Sequence, residues 1–190
     1  MKIIYTYLRL VAAACVLSLA PALSHVTPAI AQSQPEIVIG VVDFDLIMNE
    51  SKAGKSVKGQ YDQKRQAFDA DYEQKRKQFK DDERKLADQR STLSDDDFKK
   101  KVDELEAKGK AIEKSLAQTK QALDSNHKKA VGQIRSALLE IITDIAKKRS
   151  LTLVLNKSDI ILAADAYDFT DEAMKRLDAK LPSVKLAGAN

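Results

Sequence analysis

From about Lys55 to about Arg149 the apolar residues return every three or four positions, and that spacing leaves the chain few folds to choose from. On the outgoing stretch Tyr61, Phe68, Tyr72, Phe79, Leu86 and Leu93 fall at heptad intervals. One four-residue step, between Phe68 and Tyr72, is a stutter that locally unwinds a coiled coil. On the returning stretch Phe98, Val102, Leu105, Gly109, Ile112, Leu116, Thr119 and Leu123 alternate steps of four and three. Past a polar interval at Asn126 and His127 the pattern resumes with Val131, Ile134, Leu138, Ile141 and Ile145. A period near 3.5 gives each helix one narrow apolar seam, which pairs with another helix but encloses no globular core. Charged residues at Arg65, Glu83 and Arg90 thin the outgoing seam further.

The stretch breaks once, at Leu93-Ser94-Asp95-Asp96-Asp97. Ser94 with Asp97 three residues on has capping-box spacing, and Asp95 and Asp96 place negative charge on a first helical turn. The reading is an antiparallel hairpin over residues 55–138 with its tip near 91–95. A returning helix of ~55 residues would be about 80 Å long at 1.5 Å per residue. Such a hairpin is an arm, projecting from whatever the two ends of the chain build.

The first 31 residues have the parts of a secretory signal peptide. Lys2 and Arg9 form a basic start, Leu10 to Leu19 a short apolar run, and Ala29-Ile30-Ala31 a small-x-small cleavage site. The run is shorter than the ~20 residues that span a bilayer. Cys15 raises a lipoprotein site, but the apolar run continues beyond it, so cleavage after Ala31 is the expectation. The cleaved chain keeps no cysteine and one histidine, His127, and its formal charge falls from +4 to +2 as Lys2 and Arg9 leave. Disulfides and thiol chemistry are excluded from it, and zinc and iron–sulfur sites lack their ligands. No metal, cofactor or catalytic residue is proposed.

Two segments flank the arm and build a base. Ile37 to Val42 is a continuous, β-branched run that reads as a buried strand, and Asp43 starts a short helix or tight turn, with Gly54 permitting the redirection into the arm. After the arm, Leu138 to Ala146 widens into a broad apolar stripe, and Lys147-Lys148-Arg149 closes the helix with cations. Leu151–Leu155 and Ile160–Ala163 read as a second and a third strand, and a last helix runs from Asp171 to about Leu181 with Thr170 as its cap. Its apolar face is Ala173, Met174, Leu177 and Leu181, and Pro182 ends it. The fold class is therefore α+β: a β-rich base from residues 32–54 and 139–182, the arm, and a flexible tail over 183–190. A sheet this small leaves apolar edges open, which association of several copies would cover. Ile37, Ile39, Val41, Val42, Leu153, Val154, Leu155 and Ile161 are the candidate oligomerisation core.

Two apparent motifs fail on their spacing. Gly54-Lys55-Ser56 ends like a phosphate-binding loop, but Asn49 stands where the upstream glycine is required. Asn49-Glu50-Ser51 and Asn156-Lys157-Ser158 are glycosylation triplets, and both asparagines read as cap and turn residues.

The base carries a family resemblance. Val41-Val42-Asp43 with Ile47 to Lys55 resembles the opening signature of the Skp/OmpH family of periplasmic chaperones. Leu153 to Asn156, Ile160 to Asp165 and Asp168 to Leu177 resemble its ending, while the arm matches in kind rather than in motif. The resemblance implies a homotrimer whose strands form a central barrel. It also implies three arms that hold unfolded outer-membrane β-barrel proteins without ATP. The chain mixes both charge signs along its arm, so lipopolysaccharide or another anionic lipid is left as a further partner with no residues assigned. Residues 51–90 carry four more basic than acidic groups and residues 95–149 three more. Arg76, Lys77, Arg84, Lys85, Lys99, Lys100 and Lys101 are the candidate client-binding cations of a distributed surface. A solvated coiled coil with i,i+4 pairs explains the same charges individually.

Other functions fit less. An envelope adaptor binding one folded partner through the arm tip is the main alternative. Nucleic-acid binding is opposed by the export signal, the small charge after cleavage and the absence of a reader motif. Asp43, Asp45, Asp159 and Asp165 imitate a carboxylate cluster, but no histidine, serine triad or glycine loop accompanies them.

Overall fold

A computed structural model describes residues 36–187. The expected signal peptide and Cys15 lie outside them. The chain enters as strand β1 (Ile39–Val42), turns through the short helix α1 (Phe44–Glu50), and leaves along α2 (Lys52–Asp88). A 3₁₀ turn at Gln89–Ser91 reverses it into α3 (Asp95–Lys148), followed by strand β2 (Leu153–Asn156) and a last helix, α4 (Thr170–Lys180). At 1.5 Å per residue, α2 is about 55 Å long and α3 about 80 Å.

Caps set these boundaries. The Asp43 carboxylate accepts from Leu46 N–H and starts α1. The Ser51 hydroxyl accepts from Gly54 N–H and starts α2, where the Asp178 carboxylate of α4 also accepts from Lys52 N–H (2.8 Å). At the tip the Ser94 hydroxyl accepts from Asp97 N–H and donates to the Asp97 carboxylate (2.7 Å). Asp97 thus returns the contact to the cap's side chain instead of its backbone. Arg90 crosses the turn, bonding Asp95 (2.8 Å) and lying 4.7 Å over the Phe98 ring.

β1 and β2 pair in parallel, Ile39 beside Leu153 through Val42 beside Asn156. Parallel neighbours need a crossover, and here the crossover is the whole hairpin. The sheet brings both ends of the arm to one place. There Val42, Ile47, Val57, Ile134, Leu138, Ile145, Phe169 and Leu177 form the buried core. Three long-range bonds fasten the pieces: Asp43 N–H to Thr170 Oγ1 (2.8 Å), Phe44 N–H to Asn156 Oδ1 (3.1 Å) and Phe169 N–H to the Val41 carbonyl (2.9 Å).

In the base the structure departs from the sequence reading at the strands, at Gly54 and at Thr170. The third strand does not form in the single chain: Val41 is bridged instead by Asp168, and Ile161 and Leu162 stand 106% and 90% exposed. The strands also begin later than expected, and Ile37 is 71% exposed ahead of β1. Gly54 lies inside the first turn of α2, and Ser51 makes the redirection. The glycine serves closeness, because a Cβ there would stand 2.1 Å from the Met48 carbonyl oxygen. Finally, Thr170 is the first helical residue of α4, and the capping oxygen is the Asp168 carboxylate, which accepts Thr170 N–H (2.8 Å).

The tail differs as well. Val184 and Leu186 are 4% and 2% exposed, packed into the core at the arm's root. A sequence with polar and small residues on both sides of those two gave no period to read.

Candidate functional site

The arm is where a surface for another chain could lie, and its geometry follows from how the two seams meet. On α3 the residues turned inward are those the heptad spacing names. From Phe98 to Leu123 all are half-buried except Leu116 and Leu123, which are buried, and Ile134, Leu138, Ile141 and Ile145 are buried at the root. On α2 the inward positions alternate aromatic or aliphatic with charge. Tyr61, Phe68, Phe79 and Leu86 are interleaved with Lys64, Asp71, Lys75 and Asp82, all half-buried. Arg65, Glu83 and Arg90, assigned to the seam from sequence, are exposed. The charged seam positions precede Arg65 and Glu83 by one residue, and the two consecutive four-residue steps of the inward face fall at Asp71, Lys75 and Phe79 rather than at Phe68–Tyr72. Tyr72 itself turns half out, 44% exposed.

Charge in the seam is tied locally. Lys75 bonds Asp71 (2.7 Å) within α2, and Lys108 reaches across from α3 to Asp82. The hydrogen bond from Lys108 holds the Asp82 carboxyl below its usual range. Half the outgoing seam is charged, and shallow notches remain along the arm. One of about 180 Å³ lies between Tyr72, Lys75, Arg76, Phe79, Gly109, Ile112, Glu113 and Leu116. Gly109 makes room for the Phe79 ring, which would stand 3.0 Å from a Cβ there. A second, of about 240 Å³, lies rootward between Lys64, Ala67, Phe68, Asp71, Thr119 and Leu123. A third, of about 300 Å³, lies near the tip between Asp82, Lys85, Leu86, Gln89, Lys101, Glu104, Leu105 and Lys108. Each offers an apolar floor with both signs of charge at its rim.

The candidate cations divide accordingly. Lys85 and Lys101 line the tip groove from opposite helices, with Asp82 and Glu104 beside them. Arg76 borders the middle notch and leans to Glu73 (3.4 Å), and Lys77 shares with it, Gln74 and Lys80 a strip of α2. Arg84 turns to Asp81 (2.8 Å), and Lys99 and Lys100 are exposed on α3. The seven are strung along the arm.

The oligomerisation candidates divide too. Val41 and Val42 are 2% and 3% exposed inside the chain's own core. Ile39, Val154 and Leu155 are half-buried, and Ile37, Leu153 and Ile161 are exposed, as are Leu162 and Tyr167. β2 is paired on one edge only.

At the arm's root the structure adds a contact that the sequence reading did not foresee. The Tyr61 hydroxyl donates to Asp124 (3.2 Å), and the Tyr61 ring lies 4.3 Å from that of His127. The polar interval in the α3 seam is where this contact falls. Among the described residues no group of three histidine, cysteine or acidic side chains is placed to hold a metal ion, and no helix is long and apolar enough to cross a membrane.

With that geometry in view, the comparisons are specific. Residues 38–177 match the OmpH family, described as Outer membrane protein (OmpH-like). Among solved structures, a candidate OmpH-like outer membrane chaperone from Caulobacter crescentus CB15 has the same fold. Its TM-score is 0.72 at 18% identity over 80% of this chain and 90% of that one. No curated protein matches.

Proposed function

The chain belongs to the OmpH-like outer membrane protein family, and we propose that it is a periplasmic, ATP-independent holdase that keeps unfolded outer-membrane β-barrel proteins from aggregating. The observation that carries this reading is the open seam. Shallow apolar notches with charged rims recur from Phe68 to Leu105, and no single deep pocket among them selects one ligand. Unfolded β-barrel chains present alternating apolar and polar residues, which such a surface meets with many weak contacts. Arg76, Lys77, Arg84, Lys85, Lys99, Lys100 and Lys101 add long-range attraction for acidic segments. The same cations would draw an anionic lipid or lipopolysaccharide, with no subset assigned to it. No step of holding and release needs a nucleotide, a metal or a catalytic group.

Assembly belongs to the same proposal. Ile37, Leu153, Ile161, Leu162 and Tyr167 leave apolar surface on a base with one open strand edge. A second and third copy would cover both, with the strands forming the barrel and the arms enclosing a space. The Ile160–Ala163 segment, without a partner in one chain, would find one there.

The test dilutes an outer-membrane barrel protein from urea and follows light scattering. The full protein should suppress aggregation. A variant with residues 68–116 replaced by a short glycine turn should not, while keeping the subunit number of the parent assembly. Equal protection by the shortened variant would refute the arm as the holding surface. Capture of one stoichiometric folded partner instead of many unfolded ones would favour an adaptor.

A further inference from the structure

Beyond Pro182 the chain crosses the root of the arm as an extended segment. Gln60 holds its backbone at two points: Nε2 donates to the Val184 carbonyl (2.8 Å), and Oε1 accepts from Leu186 N–H (2.9 Å). An amide that bonds the carbonyl of one residue and the N–H two residues on reproduces what a neighbouring strand residue does in a parallel ladder. Gln60 is itself steadied by Ser56, through its carbonyl (3.2 Å) and hydroxyl (3.1 Å), and Asn126 Nδ2 donates to the Ala187 carbonyl (3.4 Å). The side chains alternate as in a strand on a sheet: Val184 and Leu186 are buried, while Ser183, Lys185 and Ala187 are exposed. Immediately tipward the notch between Lys64, Phe68, Thr119 and Leu123 begins.

We propose that this root groove is a receptor for an extended peptide with apolar side chains two residues apart, filled in cis by residues 183–187 and open to displacement by a client. The pattern is that of a strand from an unfolded β-barrel, apolar on one face. The identity of the displacing chain rests on the holdase reading; the receptor does not. The segment makes no ladder with either strand, so its hold is the Gln60 and Asn126 bonds and two side chains. A competitor with the same backbone and pattern can therefore match every contact. Tethered through Leu181 and Pro182, the cis segment acts as a competitor at about millimolar effective concentration.

The probe is a fluorescein-labelled peptide, Pro-Ser-Val-Lys-Leu-Ala-Gly, with an isomer in which valine and lysine are exchanged so that the apolar pair no longer shares a face. The full-length double variant Val184→Ser, Leu186→Ser vacates the groove and leaves its walls intact. It should bind the peptide at least about tenfold more tightly than wild type and should reject the isomer. Adding Gln60→Ala to that variant should abolish binding. In wild type, a large excess of peptide should speed exchange of the Leu186 N–H, leaving amides of 138–145 unchanged. Equal binding to wild type and variant, or to peptide and isomer, overturns the proposal. So does unaltered Leu186 exchange, which decides alone if the double variant fails to fold. Peptide binding by a protein that fails the light-scattering assay would remove the client and keep the receptor; the reverse would remove only the receptor.

Discussion

Individual residues in the base do work that their type alone does not reveal, and two glycines in α2 make the contrast. Gly54 has the Met48 carbonyl where a methyl would go, whereas a Cβ at Gly59 would meet nothing within 4 Å. Gly54→Ala should therefore cost about 1–3 kcal/mol, at the upper end because backbone has to move. Gly59→Ala should add about 0.5–1 kcal/mol, since alanine gives up less entropy in a helix. Urea midpoints of the two variants should move in opposite directions. Asp168 supplies a second test. Burial pushes its carboxyl up, but the Lys157 ammonium (2.7 Å) and two hydrogen bonds from Thr170 outweigh that and hold it below the usual 3.8. A depressed carboxyl contributes stability above its unfolded value and loses it as the pH falls through the folded one. Asp168→Asn should thus be weaker by about 1 kcal/mol at pH 7, a figure limited by the half-exposed lysine. The gap from wild type should close below about pH 3.8.

Among the elements, the helices are unequal along their own length. Rootward, α3 buries Ala130, Ile134, Leu138, Ile141, Ile142 and Ile145 within about four turns. Tipward it buries only Leu116 and Leu123, against an α2 seam that is half charged. Leu138→Ala should cost about 2–5 kcal/mol of global stability. Leu116→Ala should cost less than about 2 kcal/mol and chiefly speed amide exchange in the arm. Exchange in wild type should be fast over 75–110 and slow over 138–155, and uniform protection along both helices would contradict that reading. A thin, part-charged seam bends readily, which suits the proposed holding of clients of different size.

The whole molecule places its cations one by one along an arm, so their effect should be collective. Single reversals among Arg84, Lys85, Lys99, Lys100 and Lys101 should change client affinity by only a few tenths of a kcal/mol. Reversing all five to glutamate should weaken it clearly, most for acidic clients. Raising salt should weaken the parent but scarcely the variant, because screening at 0.15 M already acts over about 8 Å. Sedimentation of the purified protein should give the mass of a closed assembly at micromolar concentration; a monomer would remove the barrel from the proposal.

The sequence by itself determined the hairpin, its tip, the α3 seam and the base core, because heptad period, cap residues and an apolar stripe are local signals. The short helix at Asp43 and the capping serine at 94 were legible for the same reason. Only tertiary structure decided which charges enter the α2 seam, since positions three and four residues on from an aromatic lie on almost the same face and the packing against α3 selects between them. It alone decided that Asp168, rather than the Ile160–Ala163 run, bridges β1, because pairing depends on which segment the chain path brings alongside an edge and not on β-branched residues alone. And it alone turned Val184 and Leu186 into a strap: two apolar residues in a polar tail have no period, and their burial depends on a glutamine more than a hundred residues away.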